Sequence, residues 1–151
     1  MTETAASVDN CLDSPYMDTM PGAMQPGPDR RALSPAALRA FYGLASLWKL
    51  SVQEQMTLLG VSARSTFFHW KKHPEIALPK DTLERISYLL GIYKALQILL
   101  PEASAADAWV RRPNQAPLFG GGSALDRMLS GHVADLFEVR RYLDAQRGGW
   151  A

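Results

Sequence analysis

The segment from Leu78 to Leu100, closed by Pro101, constrains the fold of this chain more than any other stretch. At helical spacing, Leu83, Ile86, Leu90, Tyr93 and Gln97 fall along one line, while Leu89, Ile92, Leu96, Leu99 and Leu100 widen the apolar side well beyond a single stripe. A helix with that much apolar surface has to be covered on several sides, which predicts a central core helix. A second copy of the chain could supply part of the cover, so Leu89, Ile92, Leu96 and Leu99 are also a candidate dimer interface. With 151 residues, 47% of them hydrophobic, the chain can build one modest core, or one core with a small appendage. The expected class is all-α.

Upstream of that helix the punctuation is equally helical. Ser34-Pro35 reads as an N-cap followed by proline at the first helical position, and Leu38, Phe41, Tyr42, Ala45 and Leu47-Trp48 continue an apolar stripe to about Leu50. Residues 51 to 72 then read as a short helix, a glycine turn and a second helix, the pattern of a helix-turn-helix. Ser51 and Glu54 form a capping box, Met56 and Leu59 face inward, Gly60 suits a left-handed turn, and Ser62 is placed to cap the second helix. Phe67, Trp70 and Val61 would fill the space between the two helices. The opposite face carries Arg64, Ser65, Thr66, His69, Lys71 and Lys72, hydroxyls and cations of the kind that reach base edges and phosphates.

Charge is distributed to match. Residues 1–29 carry Glu3, Asp9, Asp13, Asp18 and Asp29 with no Lys or Arg, whereas residues 30–100 carry ten basic side chains against Glu54, Glu75, Asp81 and Glu84. The segment from 101 onward balances six against six. The basic surplus therefore sits where a phosphate-facing surface would be useful. The first 30 residues lack apolar periodicity and are expected to be a disordered leader. Residues 31–100 are expected to form the helix-turn-helix domain, and residues 101–151 a C-terminal domain.

In that last third, Ser104 with Asp107 is expected to cap a short helix containing Trp109 and Val110. Ser123 with Asp126 caps another after the glycine-rich loop Gly120-Gly-Gly122. A final amphipathic helix from about His132 to Gln146 would bury Val133, Leu136, Phe137 and Leu143, leaving Arg147-Gly-Gly-Trp-Ala151 as a flexible tail. The triple glycine lacks the Gly-Lys-Ser/Thr of a phosphate-binding loop, and the three histidines and lone Cys11 fall at no metal-ligand spacing. No nucleophile motif is present. The expectation is a non-enzymatic protein without cofactor or metal. No apolar run approaches the roughly 20 residues of a bilayer-spanning helix, and the N-terminus lacks the build of a signal peptide, so a cytoplasmic location without membrane contact is expected.

From Leu83-Glu-Arg-Ile through Ala108-Trp-Val-Arg-Arg-Pro-Asn114, Leu118-Phe-Gly-Gly121, Ser123-Ala-Leu-Asp126 and Leu129-Ser-Gly131 to Leu143, the chain resembles the Xre/MbcA/ParS antitoxins of RES-Xre toxin-antitoxin operons. It departs at Ala124, where the family usually has proline after the cap. The resemblance implies an Xre-like helix-turn-helix domain followed by a small helical toxin-binding domain. It also implies a RES-domain toxin partner that consumes NAD or transfers ADP-ribose from it. In such families the antitoxin's C-terminal end reaches into the toxin cleft, which makes Arg140, Arg141, Arg147, Gly148, Gly149 and Trp150 the candidate toxin-binding residues. Operator DNA of its own operon and a homodimer are the other partners expected. The alternative is a dimeric helix-turn-helix regulator with no toxin.

Overall fold

The structure, a computed structural model, describes residues 29–148. The expected leader, apart from its last two residues, and Gly149 and Trp150 lie outside the described residues. Seven helices follow one another with no strands among the described residues: α1 Arg30–Leu47, α2 Val52–Leu59, α3 Arg64–Lys72, α4 Lys80–Leu99, α5 Ala103–Trp109, α6 Ala124–Met128 and α7 Val133–Gly148. Among the described residues no helix is long and apolar enough to cross a membrane.

The long helix α4 lies at the centre. It packs on α7 most extensively, then on α1, α5 and α2, so one continuous core runs from Leu38 to Leu143. Leu89 and Ile92 are 0% exposed and Leu96 is 1% exposed. This corrects the dimer-interface expectation for those three. The cover that the apolar width of α4 demanded comes from the chain's own helices, and Leu99 is half-buried against the same core.

Local rules account for several helix ends. Ser51 Oγ accepts from the Glu54 N–H at 3.1 Å and Glu54 Oε1 accepts from the Ser51 N–H at 2.9 Å, the expected capping box of α2. Ser123 and Asp126 repeat it for α6 at 3.0 and 3.1 Å, despite the missing proline. Gly60 closes α2 with φ +75°, and a Cβ there would also stand 2.8 Å from Arg85 Nε, so both conformation and space call for glycine.

Three other serines are placed differently from expectation. Asp29, not Ser34, caps α1, accepting from the Arg31 N–H at 3.0 Å. Ser34 is fully buried inside α1, donates to the Arg30 carbonyl and accepts from the Leu78 N–H at 2.9 Å. Pro35 is thus tolerated inside the helix, beyond its first position. The N-cap of α3 is Ala63 rather than Ser62. That of α5 is Glu102, to which the Ser104 hydroxyl donates at 2.9 Å, while Asp107 accepts from Gln97 at 3.3 Å. The final helix also differs. It extends through Arg147 to Gly148; Phe137 is exposed and packs edge-to-face with Tyr88, and Val133 is only half-buried, while Leu136, Val139 and Leu143 are the buried residues of the helix.

A reciprocal lock joins the two ends of the core. Helix α1 ends in a turn where Leu50 N–H donates to Ala45 O at 2.9 Å and Lys49 N–H to Ser46 O at 3.2 Å, with Lys49 at φ +55°. Arg111, after α5, donates from Nε to the Trp48 carbonyl at 3.1 Å and from Nη2 to the Lys49 carbonyl at 2.8 Å, and reaches Glu54 at 3.3 Å. A charged donor thereby satisfies the C-terminal carbonyls of α1 and the acidic first turn of α2 at once.

The Ser34 link is the simplest to test. Ser34→Ala leaves the buried Leu78 N–H without its acceptor, and an orphaned buried donor costs about 1–3 kcal/mol. The urea midpoint is expected to fall accordingly with an unchanged m value.

Candidate nucleic-acid interface and partner-binding cleft

Helix α3 is anchored by Phe67 and Trp70, which are 0% and 6% exposed, and that anchoring decides what the rest of the helix presents. Arg64, Ser65, His69, Lys71 and Lys72 are exposed, together on the side away from the core. Thr66 is apart from them, half-buried beside Gly60 and Thr82. Phe68 is a residue that the sequence pattern does not single out. It is 43% exposed amid the polar face, with the Arg64 guanidinium 5.4 Å from its ring centroid and the Phe67 ring 5.2 Å away. Its position four residues after Arg64 is the available signal, since that spacing puts it on the same side as Arg64 rather than in the core.

The geometry around α3 suits a helix held for docking. Thr82 Oγ1 donates to the Leu59 carbonyl at 3.2 Å, tying the start of α4 to the end of α2. The turn between α2 and α3 is closed by Val61 N–H donating to Met56 O at 2.9 Å. Ala63 offers no side chain to cap α3, so no side chain of the N-cap takes the first amides of that helix.

The second candidate surface lies at the far end of the core. Helix α7 is pinned by an edge-to-face chain of rings, Trp109 to Phe119 at 5.9 Å and Phe119 to Tyr142 at 5.2 Å. The glycine loop is folded against it: Gly121 N–H donates to Asn114 O and Asn114 N–H to Gly122 O, each at 2.9 Å, with Gly120 and Gly121 at φ +57° and +91°. Arg127 braces the loop from below, donating to Leu118 O at 2.8 Å and pairing with Asp135 at 3.0 Å.

Beyond these braces, Ile98, Arg140, Asp144, Arg147 and Gly148 line an open cleft of about 550 Å³. Arg140 and Arg147 are thus brought together, held by Asp144 at 3.1 and 3.9 Å. Arg141 does not line the cleft and pairs with Glu138 at 3.8 Å. Ile98, 53% exposed, does not stand out in the sequence because it sits in a run of apolar residues whose neighbours are covered. Arg140 also crosses α4 at Gly91, its guanidinium occupying the space that a Cβ at that position would take. Among the described residues no group of three or more His, Cys, Asp or Glu side chains is placed to hold a metal ion.

Comparison with known proteins gives two family models that meet within α4. Residues 27–91 match the family model of the antitoxin Xre-like helix-turn-helix domain, and residues 95–149 match that of the antitoxin Xre/MbcA/ParS C-terminal toxin-binding domain. The chain is also similar to the uncharacterized protein y4oB of Sinorhizobium fredii (strain NBRC 101917 / NGR234). The two are 55% identical over 115 residues, which cover 76% of this chain and 87% of that protein.

Glu54, between the α2 cap and Arg111, gives the helix-turn-helix a pH signature. The Ser51 N–H that donates to its carboxylate, aided by Arg111, outweighs partial burial and holds the group below the ordinary value of about 4.5. A carboxyl depressed in the folded state contributes stability that is fully present above 4.5 and is lost as the pH falls through the lowered value. Glu54→Gln is therefore expected to flatten the acid limb of a stability-against-pH curve below that point, leaving the neutral limb parallel to wild type.

Proposed function

The chain belongs to the Xre/MbcA/ParS antitoxins, with a helix-turn-helix domain ahead of a toxin-binding domain, and on that premise we propose that it neutralises a RES-domain toxin and represses its own operon. The toxin consumes NAD or transfers ADP-ribose, and the antitoxin acts by covering that active site without catalysing anything itself. The reading divides the chain at about residue 100, places the protein in the cytoplasm, and has it read DNA as a homodimer.

The observation that carries the toxin half is the cleft at the end of α7, where exposed Ile98 stands beside Arg140 and Arg147. Apolar surface flanked by arginines is what an acidic-rimmed partner pocket needs, and the chain continues from this cleft into Gly148-Gly149-Trp150, an aromatic anchor after two glycines. Arg141 serves the rim of the contact. Deleting residues 147–151 is expected to weaken the complex with the co-encoded toxin by more than about 30-fold, the loss typical of an aromatic hot spot, and to restore NAD consumption. Calorimetry showing unchanged affinity would remove this end of the chain from the mechanism.

The DNA half rests on α3. Ser65, Phe68, His69 and Lys72 form the middle of its open face and meet base edges, while Arg64 and Lys71, seven residues apart and so along one flank, meet phosphates. Replacing both cations with alanine is expected to lower operator affinity at least tenfold and to reduce the slope of log K against log salt by about 0.9 for each phosphate no longer neutralised. Binding indifferent to the double change and to salt would count against α3 as the reading helix.

A further inference from the structure

Helix α3 carries one side chain that does not match its surroundings. Phe68 is the only large apolar residue exposed on that helix, at 43%. Its helical neighbours at i−4, i−3, i+3 and i+4 are Arg64, Ser65, Lys71 and Lys72, and all four are exposed. None of the three cations pairs with a carboxylate among the described residues. The phenyl group is also held in place. Phe67, 0% exposed, meets it at a centroid distance of 5.2 Å with the ring planes 79° apart, and the Arg64 guanidinium lies over it at 5.4 Å. A face built to dock on another apolar face would surround such a ring with further apolar residues. Here the surrounding cations call for a polyanion, and the ring calls for an apolar spot within it.

Double-stranded DNA offers that combination in one place. Phosphates wall the major groove, and the apolar group that the four standard bases present on its floor is the C5-methyl of thymine. We propose that Phe68 is a specificity-determining residue that packs its ring on a thymine methyl of the operator. The proposal rests on the DNA-binding reading of α3 and names the base feature that its one exposed apolar side chain recognises. Arg64 and Lys71 on the flank hold phosphates, which fixes register without reading sequence, while Phe68 between them supplies discrimination without a hydrogen bond. The buried Phe67 ring beside it and the Arg64 guanidinium over it limit how far the phenyl group can turn, so the contact is made by a side chain that is already in position.

The test uses the full-length chain and a promoter fragment of its operon made twice, once with thymidine and once with deoxyuridine at every thymine, an exchange that keeps base pairing and phosphate charge and removes only the methyl. The wild-type chain is expected to bind the deoxyuridine fragment at least about fourfold more weakly, the loss that goes with one buried methyl. Phe68→Ala is expected to bind the thymidine fragment at least about fourfold more weakly than wild type does and to hold the two fragments alike, because nothing at position 68 then meets the methyl. Phe68→Leu keeps an apolar side chain and is expected to retain part of the difference. Since the residue is exposed and uncharged, both variants are expected to keep a Tm close to that of wild type and the same log–log salt slope. Equal wild-type affinity for the two fragments overturns the thymine contact while leaving α3 as the reading helix. A difference that persists undiminished in Phe68→Ala overturns Phe68 as its reader, and DNA affinity unchanged by Phe68→Ala beside a weakened toxin complex overturns the contact in favour of a protein partner. A wild-type chain that binds the thymidine fragment no better than an unrelated duplex of equal length overturns the operator reading and the contact together.

Discussion

Everything in this molecule hangs on the burial of α4. The helix is covered on several sides because α1, α2, α5 and α7 all pack on it. Ile86, Leu89, Ile92 and Leu96 are at most 1% exposed, and each such side chain contributes about 1.5–3 kcal/mol through burial. The helix-turn-helix is seated on one end of this rod and the toxin-binding module on the other. Neither half owns the core, so the open face of α3 and the cleft at the end of α7 are carried on one packed body.

Arg111 shows how that body is stitched. It belongs to the C-terminal module by sequence, yet its hydrogen bonds go to the end of α1 and the start of α2. A non-glycine residue in the left-handed region, as Lys49 is, stays there only when its surroundings insist, and two carbonyls fixed by a guanidinium are such surroundings. The arrangement ties the segment after α5 directly to the α1–α2 corner.

Local signals in the sequence are legible at several places where both partners of an interaction lie within a few residues, although the equally local caps expected of Ser62 and Ser104 do not form. The capping boxes of Ser51 and Ser123, the left-handed Gly60, and the inward spacing of Phe67 and Trp70 can all be read that way. Ser34 cannot, because its proper partner is the Leu78 amide, 44 residues away, and that contact outweighs the local appeal of a Ser-Pro helix start. Arg111 is hidden for the same reason. The width of the apolar side of α4 is visible, but whether α7 or a second chain covers it depends on how far α7 runs, which periodicity leaves open. At the candidate sites, the charges of α3 are evident from composition, whereas exposed Ile98 is hidden in a run of apolar residues whose neighbours are covered.

Gly91 and Arg140 make a size-exclusion pair with an inheritance of its own. In an isolated helix, glycine to alanine is favourable by up to about 1 kcal/mol, so drift should erase a mid-helix glycine. Here a methyl at 91 would evict the guanidinium that lies across α4, and the evicted arginine would have to swing into the cleft it now borders. Positions 91 and 140 are therefore not free to vary independently. A substitution that enlarges residue 91 thus reshapes the cleft bordered by Ile98, Arg140 and Arg147 without any change to the residues that line it.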